Sequence, residues 1–256
     1  MRTRVLLAAV AVAGLAACND RPSTPPPPAP HDADADAGYV AAPELTAAHA
    51  QTDEIRLEGT AAPGARVRLA EPAGPAAQAR ANGSGHWRMS LPAAARPRIL
   101  GLSMAVEGRV VQAQGYLLLT PAGRAILLRA GAGASAPGPA GAPRIVAFDF
   151  DRQGGAVLSG AAAPAANVSV RLDGRQVAVG RAGADGRFSI ALSQPVASGV
   201  HQVEVVGDAF RSAAVVDTTP AAPLAGGPFR AVASAQGVRA DWLTPGGGLQ
   251  STWIFD

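Results

Sequence analysis

The sequence predicts an all-β protein, two tandem β-sandwiches behind an N-terminal leader and a proline-rich spacer. Three observations predict it. Apolar and polar residues alternate with a period of two in segment after segment. Gly, Pro, Asn and Asp interrupt these segments at short intervals. One residue pattern recurs without a gap 101 positions further along the chain. Nothing beyond the leader sustains a 3.6-residue period, so helices have no support.

The leader comes first. Met1-Arg2-Thr3-Arg4 is cationic, Val5 to Gly14 carries no charge, and Leu15-Ala16-Ala17 places small residues before Cys18. A basic start, a short apolar run and small residues before a cut are the marks of a secretory signal peptide, here residues 1–17. Leu-Ala-Ala-Cys resembles the lipobox of bacterial lipoproteins and uses the one cysteine of the chain. The resemblance implies diacylglyceryl transfer to the Cys18 sulfur, cleavage before Cys18 and acylation of its amine. Acyl chains contribute about 0.8 kcal/mol per buried CH₂, so several of them anchor a water-soluble domain firmly. By the sorting rule that goes with this resemblance, Asn19 in place of Asp points to the outer membrane, facing the periplasm, rather than the inner membrane.

Residues 18–43 form the spacer. Arg21 to Ala37 has no apolar period and contains Pro25-Pro26-Pro27-Pro28. Such a run favours polyproline II, about 3.1 Å per residue, and acts as a semi-rigid tether. His31, Asp32, Asp34 and Asp36 lie in it and read as a solvated stretch rather than a metal site.

The two copies follow, at 44–129 and 144–218. Leu57-Glu58-Gly59-Thr60-Ala61-Ala62-Pro63-Gly64-Ala65-Arg66-Val67 matches Leu158-Ser159-Gly160-Ala161-Ala162-Ala163-Pro164-Ala165-Ala166-Asn167-Val168. The same offset carries Arg80 onto Arg181, Gly85-His86-Trp87 onto Gly186-Arg187-Phe188, and Leu91 onto Leu192. After a slip of two, Met104 and Val106 fall on Val203 and Val205. Val67 and Leu69 alternate with Arg66 and Arg68, and Phe188, Ile190 and Leu192 alternate with Arg187, Ser189 and Ala191. This is the pattern of half-buried antiparallel strands. Trp87 and Phe188 take equivalent interior positions. Residues 130–143, rich in Ala, Gly and Pro, read as a linker that limits contact between the copies.

The shared pattern, apolar-x-Gly-x-Ala-x-Pro followed by a hairpin and Gly-x-Trp/Phe-x-apolar, resembles bacterial immunoglobulin-like domains and the related carboxypeptidase-regulatory-like sandwiches. It covers roughly 55–107 and 156–207. The resemblance implies two Ig-like sandwiches that act as spacers, adhesion units or sugar- and protein-binding modules. Ser84 departs from the Asp that Asp185 keeps in the second copy.

Residues 219–256 read as a C-terminal β-hairpin packed on the second sandwich. Val238, Ala240 and Trp242 alternate, Thr244-Pro245-Gly246-Gly247-Gly248 turns the chain, and Leu249, Ser251, Trp253 and Phe255 follow. Leu119-Thr120-Pro121-Ala122-Gly123 echoes Leu243-Thr244-Pro245-Gly246-Gly247. Each half is therefore expected to end in a similar hairpin.

Several function classes are excluded. Removing Arg2 and Arg4 with the leader leaves 20 basic and 19 acidic residues, a net of +1 with no footprint for nucleic acid. A single cysteine excludes an internal disulfide and a cysteine-rich metal site. No serine sits in a nucleophile elbow, and the four histidines have no paired spacing. No catalytic residue, metal site or cofactor is assigned, and the chain is not read as an enzyme. Asp149 and Asp151 fall on one face of a strand and read as solvated. Trp242 and Trp253, in the terminal hairpin, are candidate ligand-stacking residues, set against the alternative that they close the second sandwich. The expectation is a non-catalytic envelope lipoprotein that binds or scaffolds an envelope protein. The alternative is a carbohydrate or peptidoglycan binder using the tryptophan hairpin.

Overall fold

The computed structural model describes residues 39–255. The leader, Cys18 and most of the tether lie outside them. The described residues hold eighteen strands and no helix. The protein is all-β, built as tandem Ig-like β-sandwiches.

The first sandwich contains β1 (Glu44–Ala50), β2 (Glu54–Thr60), β3 (Arg66–Ala70), β4 (Ala76–Arg80), β5 (His86–Pro92), β6 (Arg98–Val106), β7 (Arg109–Leu119) and β8 (Ala125–Leu128). They form a β1-β2-β5 sheet against a β4-β3-β6-β7-β8 sheet. The second contains β9 (Arg144–Asp151), β10 (Ala156–Ala161), β11 (Asn167–Leu172), β12 (Arg175–Arg181), β13 (Arg187–Ala191), β14 (Val200–Gly207) and β15 (Arg211–Asp217). The strands β16 (Phe229–Ser234), β17 (Gly237–Leu243) and β18 (Leu249–Ile254) complete the chain. The order here is β13-β10-β9-β18-β17-β16 against β12-β11-β14-β15. The C-terminal strands thus extend a sheet of the second sandwich, with β18 paired antiparallel to β9.

The repeated glycine has a steric cause. Gly59 pairs with Trp87 across β2 and β5, and Gly160 pairs with Phe188 across β10 and β13. A Cβ at Gly59 would lie 2.3 Å from the indole, and one at Gly160 would lie 2.3 Å from the phenyl ring. Each ring lies over the bare backbone of its neighbour. The indole Nε1 also donates to the Thr60 carbonyl at 3.0 Å.

The slip of two runs the other way from the sequence expectation. Leu69 pairs with Leu102, and Val170 pairs with Val205, so Leu100 and Leu102 correspond to Val203 and Val205. The sequence alignment instead matched Met104 and Val106 to those valines. The two registers differ by four residues, an even number, and both keep the same face inside.

Each sandwich has its own core. Ile55, Leu57, Val67, Trp87, Leu102 and Met104 fill the first; Phe148, Leu158, Val170, Phe188, Val205 and Trp253 are among those that fill the second. A third core joins them. Ile99, Leu118, Ile126 and Leu128, on the outer face of the β6-β7-β8 side, pack with Val146, Ala147, Ala240, Trp242 and Ile254 of the six-stranded sheet. The four sheets therefore stack, and the middle two are covered on both faces where β6, β7 and β8 meet β9, β17 and β18. The expected isolation of the copies does not hold. Residues 130–143 connect the sandwiches, yet they lie against them: Ala134 is buried in the third core, and Ser135 bridges to Leu127.

Candidate functional site

The six-stranded sheet at the junction between the sandwiches carries both Trp242 and Asp149. Both candidate stacking residues lie on this sheet. Trp242, on β17, has no exposed surface; its Nε1 donates to Thr252 Oγ1 at 3.1 Å, and Tyr116 meets it edge-on at 5.9 Å. Trp253, on β18, is 7% exposed in the second core, and its Nε1 donates to the Asp217 carbonyl at 2.9 Å. Successive strand residues face opposite sides, but these two lie on different strands of one sheet and point to different cores. Stacking on a sugar needs an open ring face, and neither indole has one. Cys18, the expected lipidation site, lies outside the described residues.

Polar groups are tightly paired on the face of the hairpin that carries Trp253. Asp241 accepts from Arg230 Nη2 at 2.7 Å, Arg239 Nε at 3.0 Å and Ser251 Oγ at 2.7 Å. Burial pushes its pKa up, but the hydrogen bonds from Arg230, Ser251 and Arg239 outweigh burial and hold the carboxyl below its usual range. Arg239 also stacks over Phe150 at 5.2 Å and donates to the Asp217 and Thr219 carbonyls. These contacts fasten the segment after β15 to the hairpin.

Asp149 departs from expectation. The sequence placed it with Asp151 on a solvated face; it is 2% exposed. That face of β9 is covered, because residues 129–135 cross it. Asp149 Oδ1 accepts from Gln250 Nε2 at 3.0 Å and from Thr252 Oγ1, while Oδ2 has no hydrogen-bond partner. Burial raises its pKa to about 6, against the opposing pull of Thr252, Gln250, the Ala134 amide and the Arg129 charge. Asp151 is half-buried and caps its own turn, accepting from the Gln153 and Gly155 amides.

A cleft of about 330 Å³ opens beside the third core, lined by Arg68, Ser103, Gln112, Tyr116, Pro228 and Leu243 among others. In the second sandwich His201 Nδ1 lies 2.7 Å from Asp173 Oδ2, and its Nε2 lies 2.9 Å from the Ala197 carbonyl. Both ring nitrogens are thereby occupied, and among the described residues no nucleophile is hydrogen-bonded to either ring nitrogen. Among the described residues no group of three His, Cys, Asp or Glu side chains is placed to hold a metal ion.

Residues 142–219 match the family model of the bacterial Ig domain. The second sandwich is Ig-like. The first repeats its strand order, so the Ig-like description extends to both by geometry. No curated protein matches the chain. Among solved structures, the BSP domain of a biofilm-associated protein is 15% identical over 72% of this chain and 30% of that one, with a TM-score of 0.24. The central fibronectin-III array of RIM-binding protein is 17% identical over 80% of this chain and 72% of that one, with a TM-score of 0.27. The chain thus spans less than a third of the length of the first of these.

Sequence reasoning missed the third core, although a signal for it exists. Tyr116-Leu117-Leu118-Leu119, Ala125-Ile126-Leu127-Leu128 and Ile145-Val146-Ala147-Phe148 are unbroken apolar runs among alternating strands. Unbroken runs mark strands covered on both faces.

Proposed function

We propose that this chain is a non-catalytic envelope lipoprotein. Its joined Ig-like sandwiches present a binding or scaffolding surface in the periplasm, held by acyl chains on Cys18 in the outer membrane. The scaffolding part of the reading is carried by the third core, and the anchorage part rests on Leu15-Ala16-Ala17-Cys18. Leu118, Ile126 and Trp242 bury their side chains between the sandwiches, which makes the pair one body rather than two beads on a string. A stiff body on a proline tether suits the presentation of a surface at a set distance from a membrane. Ig-like domains carry no chemistry by virtue of their fold. The sugar-binding alternative rested on exposed indoles, and both indoles are inside.

The test is anchorage. Cys18→Ser should move the protein from the membrane fraction to the soluble periplasm and abolish fatty-acid labelling. Labelling that survives the substitution overturns the lipoprotein reading.

A further inference from the structure

The segment from Arg129 to Ser135 is a strap. It leaves β8, crosses the face of the six-stranded sheet that looks toward the first sandwich, and leads toward β9. It has little side chain of its own, so polar groups hold it. The Gly131 amide donates to Gln250 Oε1 at 3.1 Å. Ser189 Oγ donates to the Ala132 carbonyl at 2.7 Å. Leu127 and Ser135 exchange backbone hydrogen bonds at 2.8 and 3.0 Å. Gly133 is pressed so close that a Cβ there would lie 2.2 Å from Ser159 Oγ and 2.4 Å from Ser189 Oγ.

Asp149 sits under this strap. Hydrogen bonds from Thr252, Gln250 and the Ala134 amide act on its charge, but among the described residues no cation forms an ion pair with it. Arg129 is the charged group that acts on it from the strap. The neighbouring strands offer only groups that do not titrate: Val157 and Ser159 on β10, Ser189 on β13, and Gln250 and Thr252 on β18. Asp241 shows the contrast, since two arginines bond that buried carboxylate directly. A buried carboxylate without such partners has two ways to lower its energy: it takes a proton, or its cover lifts and water reaches it. Ser159 Oγ, also buried under the strap, likewise lacks a partner, so this polar row is incompletely satisfied when closed.

We propose that Asp149 is a proton-operated latch on the joint between the two sandwiches. The strap is closed over the protonated carboxyl and eased when the carboxyl ionises. The sign follows from linkage. The folded-state pKa, about 6, stands above the unfolded value near 3.9, so the closed strap is favoured fully below about pH 4 and loses that advantage as pH rises through about 6. The difference of about two pKa units limits the gain in strap opening to on the order of 100-fold. The inference does not depend on lipid anchorage.

Hydrogen exchange on the full chain tests it. Protection of the Gly131 and Ala134 amides, corrected for the intrinsic pH dependence of exchange, should fall between pH 4 and pH 7.5 by up to about 100-fold. Amides in β3 and β11 should hold. Asp149→Asn cannot ionise and should flatten the profile. In the unsubstituted protein, carboxyl-carbon NMR should show Asp149 titrating with the same midpoint as the strap amides, which keeps the idea testable should the variant fold poorly. A strap whose protection does not change with pH, or changes equally in Asp149→Asn, overturns the proposal. So does an Asp149 carboxyl that titrates near 4.

Discussion

The two sandwiches share a backbone plan and meet its demands with different residues. In the first, Gly64 takes the left-handed turn at φ 73°; in the second, Ala165 takes it at φ 59°. Arg80 donates to the Gly64 carbonyl and Arg181 to the Ala165 carbonyl. Trp87 lies over Gly59 where Phe188 lies over Gly160. Arg98 joins Glu71 to the Pro92 carbonyl where His201 joins Asp173 to the Ala197 carbonyl. The repeat preserves positions and directions rather than chemistry. The substitutions decide how each copy responds to strain and to pH.

Truncating the two rings tests the comparison with the largest effect. Trp87→Ala and Phe188→Ala should each cost about 3–5 kcal/mol, as large-to-small changes in packed cores do. Trp87→Ala should cost more, since it also removes the hydrogen bond to Thr60. Because the third core joins the sandwiches, both variants should lower one shared transition in calorimetry. Two separate transitions in the unsubstituted protein would break the picture of one body.

The third core itself is the next target. Leu118 is fully buried on the face of β7 that meets the second sandwich. Leu118→Ala should cost about 2–5 kcal/mol and split the shared transition in two. A loss of similar size with the transition still single would show that the strap and the Arg124 hydrogen bond to the Phe255 carbonyl suffice to couple the copies.

Much of this architecture was legible and the rest was hidden for identifiable reasons. Strands and hairpins could be read because Val67, Leu69, Phe188 and Ile190 alternate with polar neighbours. The echo of Leu119-Thr120-Pro121 in Leu243-Thr244-Pro245 was sound locally: in both turns the threonine hydroxyl accepts the amide four residues on, from Arg124 or Gly248. Yet the two hairpins extend different sheets, which local sequence does not specify. The strap looked like a linker because Gly131, Ala132, Gly133 and Ala134 carry no apolar signal. Their small size is what lets them lie flat on Ser159 and Ser189. Asp149 looked solvated because period two places it opposite Phe148 and Phe150. Only the third core shows that both faces of that strand are covered.

The turn offers a smaller and signed test. A left-handed residue with a Cβ is strained by about 1 kcal/mol, and glycine is free of that strain. Nothing lies within 4 Å of a Cβ built on Gly64, so Gly64→Ala isolates the backbone effect and should destabilise by about 1 kcal/mol. Ala165→Gly should move stability the other way by a comparable amount, reduced by the greater chain entropy of unfolded glycine. Urea midpoints for the pair check it. A midpoint that falls for both variants would mean that Ala165 is not strained and that the turns differ more than their φ angles show.

The smallest effect separates Arg98 from His201. Arginine keeps its charge throughout the accessible pH range, whereas histidine does not. Both nitrogens of His201 face acceptors, so the imidazolium can donate twice and the neutral ring only once. The Asp173 hydrogen bond raises the His201 pKa, against burial, which lowers it; the Ala197 carbonyl adds to the rise. The same hydrogen bond lowers that of Asp173. A raised histidine pKa stabilises the fold fully below the unfolded value near 6.5, and the contribution is lost as pH rises through the folded value. This window lies above most of the Asp149 transition, so the two are separable. As pH rises above about 6.5 the amides around Ala197 should lose protection, after correction for intrinsic exchange, while that of Ala93 keeps its own. His201→Arg should give the second sandwich the flat profile of the first. If the unsubstituted loops at Ala197 and Pro92 respond alike across this range, then the two cations do not do the same work, and the correspondence between Arg98 and His201 is one of position alone.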